Sequence, residues 1–186
     1  MDLNQKLEGE RIYLQKPEVS FEFALKMFNV VDANRDFVIP WLAWALPEIT
    51  QSAEDDFSYA LEADKAWKNG ERFEYVIYNK ENDDFLGTIA LIKRGNEKNK
   101  AFEIGYWLKK DAQGNGYIQE AIKLVENEFF SNGIIRLTIR ADVENEKSNN
   151  VAKKAGYTFE GTLRKSQYNM CLHEFRDINL YSKIKE

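Results

Sequence analysis

The stretch that most constrains this chain lies in its second half. Phe102-Glu103-Ile104-Gly105-Tyr106-Trp107-Leu108 reads as a strand, and Gln113-Gly114-Asn115-Gly116-Tyr117 as a turn. Ile118, Ala121, Ile122, Val125 and Phe129 then recur at i, i+3, i+4, i+7 and i+11, the spacing of one buried helical face. A helix starting from a small-residue turn leaves its first backbone N–H groups without intrahelical acceptors. They lie at the positive end of the helix dipole, which suits a phosphate. Glycines let a bulky anion approach the backbone closely. No Gly-Lys-Ser/Thr follows, so this is not a Walker A loop. It is not a dinucleotide fingerprint either, because G-x-G-x-x-G needs glycine where Gln119 stands. The plain alternative is a tight turn whose glycines serve only the turn.

The rest of the chain reads as one domain, residues 1–186, since it has no internal repeat, Gly/Ser linker or low-complexity stretch. Arg11 to Leu14 is a short strand. A helix over 20–31 follows, with Phe21, Ala24, Leu25 and Phe28 as its expected buried stripe. Pro40-Trp41-Leu42-Ala43-Trp44, closed by Pro47, is an aromatic loop. Ser52 opens a second helix, with Glu54 and Asp55 in its first turn, Phe57, Ala60, Leu61 and Trp67 on its apolar side, and Gly70 at its end. Strands are expected over 73–78, 85–93 and 101–108, and over 135–140 by alternation. A short helix over 148–155 stops at Gly156, and strands over 157–163 and 175–184 close a mixed α/β sheet.

Composition narrows the function. A formal net charge of −5 argues against a nucleic-acid partner, which needs a basic surface. No run approaches 18 apolar residues and the N-terminus lacks a signal pattern, so a cytoplasmic protein without a membrane partner is expected. One cysteine, Cys171, excludes an intrachain disulfide, and one histidine, His173, excludes a multi-histidine metal site. As a nucleophile–base pair these two have no supporting motif.

Four segments together resemble the GNAT superfamily of acetyl-CoA-dependent N-acetyltransferases, and within it the ribosomal-protein N-terminal (Rim-type) branch. They are Asn34-Arg35-Asp36-Phe37 through Trp44, Glu103 to Leu108, Ala112 to Gly116, and Asn145 to Ala152 through Gly156-Tyr157. The resemblance implies a mostly antiparallel, twisted central sheet flanked by helices, with acetyl-CoA as cosubstrate and no metal. It implies that Tyr106, Trp107 and Leu108 pair their backbone with pantetheine, that Gln113, Gly114, Asn115, Gly116, Tyr117 and Ile118 cradle the pyrophosphate, and that Asn145 bonds the pantetheine. Ile118 departs from the small residue usual at the last place of that loop.

Acetyl transfer to an amine needs an uncharged amine, a stabilised oxyanion and a proton for the departing thiolate. Many superfamily members carry a tyrosine as that acid at the place of Ala152 here; the Rim-type branch uses a serine, which maps onto Ser148. The plain reading of Ser148 is a helix cap, compatible with the acid role. The branch often carries a glutamate where Gln167 stands beside Tyr168, so Glu103 is the alternative base, acting through water; a carboxylate in a structural ion pair is its plain reading. An α-amine, with a pKa of about 7.7–8.0, is roughly a quarter free base near neutrality, and a lysine amine only about one part in a thousand. A site without a strong base therefore suits an N-terminal amine. Trp41 and Trp44 are either a wall of the acceptor cleft or a core plug. Lys147, Lys153, Lys154, Arg164 and Lys165 either greet phosphates or form a solvated surface. The expected acceptor is a protein N-terminus, with a small amine such as a polyamine, amino acid or antibiotic as the alternative. A catalytically silent acyl-CoA-binding module is the rival of another class. The protein is expected as a monomer or homodimer.

Overall fold

The computed structural model describes residues 1–185. Its strands are β1 (Lys6–Glu8), β2 (Ile12–Gln15), β3 (Arg72–Asn79), β4 (Phe85–Lys93), β5 (Ala101–Leu108), β6 (Arg136–Asp142), β7 (Thr158–Asn169) and β8 (Glu174–Ile184). The α-helices are α1 (Phe21–Asp32), α2 (Arg35–Val38), α3 (Ala53–Lys68), α4 (Tyr117–Ser131) and α5 (Glu146–Lys154). The strands form one eight-stranded sheet in the order β1-β2-β3-β4-β5-β6-β8-β7. Every neighbouring pair is antiparallel except β5 and β6, which run parallel because α4 carries the chain back between them.

The two faces of the sheet are covered differently. On one, the α4 stripe Ile118, Ala121, Ile122, Val125 and Phe129 packs with Phe73, Phe102, Ile104 and Leu137. Phe129 meets Phe73 and Phe102 edge-on, with ring centroids 5.5 and 5.2 Å apart. On the other, Phe23, Met27 and Val31 of α1 and Val38 of α2 pack on Val76, Phe85 and Trp107. Among the described residues, no helix is long and apolar enough to cross a membrane.

Several local expectations are corrected. Phe21 and Leu25 stay about half exposed, and the buried stripe of α1 is Phe23, Ala24, Met27 and Val31. Both stripes are apolar, so periodicity cannot choose between them; the partners across the sheet do. On α3, Leu61 is exposed and the buried positions are Ala53, Asp56, Ala60 and Ala63. Ile135 is exposed, just outside β6. Strand β7 runs to Asn169, six residues beyond its expected end, held by pairs from Thr158↔Ser182 to Asn169↔Glu174. Helix α5 starts at Glu146, because the Asn145 side chain accepts the Ser148 N–H and caps it. Ser148 is therefore not the cap, and its hydroxyl is left for other work.

Asn149 fixes α5 to the sheet. Its Nδ2 donates to the carbonyls of Asp142 and Asn145, and its Oδ1 accepts from Asn179 Nδ2 and the Tyr181 hydroxyl. It is buried, where polar groups are ordinarily hydrogen-bonded. Asn149→Ala should lower stability in urea unfolding by about 2–3 kcal/mol, the cost of orphaning buried donors and acceptors.

Candidate active site

The site begins where β5 and β6 part. They pair from Ala101↔Arg136 to Ile104↔Ile139 and no further, leaving the β6-facing backbone edge of Gly105 to Leu108 without a strand partner. A cavity of about 1240 Å³ lies over this gap. Gly105 lines it, and a Cβ built on Gly105 would touch nothing within 4 Å.

At one end of the cavity lies the turn before α4. Gly114 and Gly116 have φ of +79° and +78°, a left-handed backbone that favours glycine. Among the described residues, no protein acceptor takes the N–H groups of Gly114, Asn115, Gly116, Tyr117 or Ile118. The turn is nonetheless held. Arg11 Nη1 donates to the Asn115 carbonyl at 2.8 Å, Arg11 Nε to Glu120 Oε2 at 3.0 Å, and the Arg11 N–H to Glu120 Oε1 at 2.9 Å. Glu120 is held below the usual carboxylate range by those bonds with Arg11 and with the Ile12 N–H, against the opposing effect of burial. Gln113 reaches the Leu108 carbonyl and receives Lys147 Nζ at 3.0 Å. Ile118 is buried in the core cluster and also lines the cavity. Lys110, Lys147 and Lys154 line the cavity, whereas Lys153, Arg164 and Lys165 do not.

At the centre stands Ser148. Its Oγ lies 2.9 Å from the Tyr106 hydroxyl, and that hydroxyl also donates to the Ser148 carbonyl at 3.4 Å. Burial pushes the Tyr106 phenol up to about 12, partly opposed by the hydrogen bond to Ser148, so it keeps its proton at neutral pH. Ala152 is fully buried in the core. A tyrosine would not fit there, and a phenol instead reaches the serine from β5. Sequence reading placed only the backbone of Tyr106 in the site; its hydroxyl contact spans 42 residues and leaves no local signature.

The far end is aromatic and acidic. Trp41 and Trp44 both line the cavity, and Trp44 also packs on Trp107 with centroids 5.9 Å apart, so it serves as wall and plug together. Gln167 lines it from β7, and Asn169 Nδ2 binds the Pro40 carbonyl, tying the β7–β8 hairpin to the aromatic loop. Glu103 lines it too, with Oε2 engaged by Arg94 Nε at 2.9 Å. Tyr59, Glu74 and Asp56 share this end, and sequence reading passed over all three. Tyr59 donates to Glu74 Oε2 at 2.6 Å. Burial raises the Glu74 carboxyl above its usual value, although Arg72 and Tyr59 pull the other way. Cys171 and His173 lie in the β7–β8 turn and outside the cavity lining. Among the described residues, no group of three or more His, Cys, Asp or Glu side chains is placed to hold a metal ion.

Comparison with known proteins places the chain in a family. The profile of the acetyltransferase (GNAT) domain matches residues 11–158. The chain belongs to the GNAT acetyltransferase family. It is 28% identical over 159 residues to the ribosomal-protein-serine acetyltransferase of Escherichia coli K12, covering 85% of each chain. The microcin C7 self-immunity acetyltransferase MccE, solved with acetyl-CoA and AMP, is 28% identical, with a TM-score of 0.85 over 95% of this chain and 93% of MccE. RimL, a ribosomal L7/L12 alpha-N-protein acetyltransferase solved with CoA, shares the fold at 23% identity, with a TM-score of 0.87 over 96% of this chain and 97% of RimL.

Gly116→Ala would place a Cβ on a left-handed backbone, at about 1–2 kcal/mol, and turn the donors of the α4 start out of line. Binding of inorganic pyrophosphate, followed by calorimetry, should weaken about tenfold, with far-UV circular dichroism unchanged.

Proposed function

We propose that this GNAT protein is a cytoplasmic acetyltransferase, with one catalytic domain spanning the chain, that acetylates the N-terminal amine of a protein. A ribosomal protein is the first acceptor to test, because relatives across most of the chain act on ribosomal-protein N-termini. The observation that carries the catalytic reading is the Ser148–Tyr106 hydroxyl pair at the mouth of the β5–β6 gap. It argues against a silent CoA-binding module, which has no use for a proton relay there.

Acetyl-CoA supplies the activated acetyl group as a thioester. The free edge of Gly105 to Leu108 pairs with the amides of its pantetheine arm, and the N–H groups from Gly114 to Ile118 take the pyrophosphate, helped by Gln113 and Lys147. Asn145 spends its Oδ1 on capping α5, which leaves its Nδ2 to donate to pantetheine. Ser148 Oγ–H protonates the departing sulfur, and the Tyr106 hydroxyl returns a proton to Ser148 Oγ; bulk water then restores Tyr106. Glu103, oriented by Arg94, takes the amine proton through water. The amine attacks directly in a ternary complex, with Trp41, Trp44 and Gln167 around the acceptor.

CoA release should be measured with acetyl-CoA and peptides with free N-termini, lysine-only peptides and polyamines. Turnover confined to free N-termini is expected. Ser148→Ala should lower that rate on the order of 10²-fold at nearly unchanged acetyl-CoA affinity, and Tyr106→Phe should fall between it and the wild type. Turnover on small amines alone would overturn the protein acceptor. Tight acetyl-CoA binding without turnover on any amine, indifferent to Ser148→Ala, would overturn catalysis.

A further inference from the structure

Five carboxylates line the cavity: Asp55, Asp56, Glu74, Glu103 and Asp142. Four are answered by the protein. Asp55 accepts from the Gln51 and Ser52 N–H groups, Glu74 from Tyr59, Glu103 from Arg94, and Asp142 from Arg176. Asp56 differs. It is 4% exposed, and its Oδ2 has no hydrogen-bond partner among the described residues. Arg35, whose charge acts on Asp56, gives its hydrogen bonds elsewhere, to Asp32 and to the carbonyls of Ala45 and Thr50. An unanswered buried carboxylate works against folding, so its presence in a cavity wall needs a ligand to explain it. A second orphan sharpens the choice. Trp107 Nε1, in the same cavity wall, has no acceptor among the described residues, and neither do Arg72 Nε and Arg140 Nε there; of the three only the Trp107 donor is uncharged.

We propose that Asp56 is the seat for the acceptor's ammonium group, recognising a single positive charge that carries a carbonyl nearby, as a peptide N-terminus does. The inference rests on the acceptor reading above and deepens it. One unpaired carboxylate matches one cation. A polyamine brings several charges and no acceptor atom for Trp107 Nε1, whereas the first carbonyl of a peptide can answer that donor. The groups facing Asp56 are Arg35 of α2, Asp55 and Tyr59 of its own helix, and Glu74 of β3. Desolvation outweighs the pull of Arg35, and the like charges of Asp55 and Glu74 add to it, so the Asp56 carboxyl sits raised to about 6. A raised carboxyl destabilises the fold when ionised: the penalty is present above about 6 and relieved as pH falls through that value.

Asp56→Asn separates this role from a structural one. With CoA present to prevent turnover, calorimetry would compare a short peptide amide bearing a free N-terminus with its desamino counterpart. The wild type should prefer the free amine by about tenfold or more, as expected of a charge-assisted contact. That preference should fade as pH drops from 7 to 5, a range in which the peptide stays protonated and Asp56 does not stay ionised. Asp56→Asn should bind both peptides alike at every pH, leave CoA affinity unchanged, and melt a few degrees higher at pH 7.5. An unchanged preference in the variant, or a lower melting temperature, overturns the inference while leaving the acceptor reading intact. A wild type that binds neither peptide overturns both; a wild type that acetylates free N-termini and prefers neither peptide overturns only the role of Asp56.

Discussion

Everything at this site depends on a strand pair that stops pairing. Four residues of β5 run beside four of β6, and then the two separate while their outer neighbours, β4 and β8, stay in register along their whole length. A sheet interior that opens in this way exposes backbone donors and acceptors that a continuous ladder would have consumed. It also leaves room above Gly105, which the absence of a side chain extends. The gap requires rigid shoulders, and the packing supplies them. Phe129 wedges against Phe73 and Phe102 under the paired half of β5, while Trp107 on the opposite face is clamped by Phe85 and Trp44.

The two helices that bracket the gap are fixed by polar bonds as well as by apolar area. Helix α4 is anchored at its start through Arg11 and Glu120, which join β2 to the glycine turn, and through Gln119 Nε2, which donates to the Val151 carbonyl of α5. Helix α5 is anchored by Asn149 and capped by Asn145. These bonds immobilise the scaffold while leaving the first α4 N–H groups without a protein acceptor among the described residues and Ser148 in the cavity wall. Such a division agrees with a site that has to be pre-organised before its ligand arrives.

How much of this was legible in the sequence follows from how far each interaction reaches. Strands β4 and β5 and the α4 stripe were readable because alternation and helical spacing are local, and β4 and β5 fall at their expected limits. The glycine turn was readable because left-handed backbone has few residues to choose from. The stripe of α1 was not, since two apolar faces compete and only the sheet decides. Strand β1 has three residues and α2 has four, too short for either periodicity to register. Tyr106 meeting Ser148, and Arg11 meeting Glu120, depend on topology that brings residues 42 and 109 positions apart together. Asp56 was hidden by its setting: an acidic residue in the first turn of a helix is ordinarily explained by the helix dipole, and only burial shows that this one faces inward.

The distribution of charge in the cavity has a consequence for how the site divides its labour. Glu103, Glu74 and Asp142 each have a cation or a hydroxyl committed to them, which leaves them less free to engage a further positive charge. Arg176 alone pairs with Asp142, Glu144 and Glu174, which closes the hairpin side of the cavity electrostatically. Were all five carboxylates free, the cleft would concentrate polycations indiscriminately. With four engaged by the protein and one left, the proposed seat offers a single unengaged carboxylate to one ammonium. The same reasoning explains the position of the hydroxyl pair. Ser148 and Tyr106 are neutral groups, so the proton relay proposed for them at the centre of the cavity adds no charge beside its acidic end.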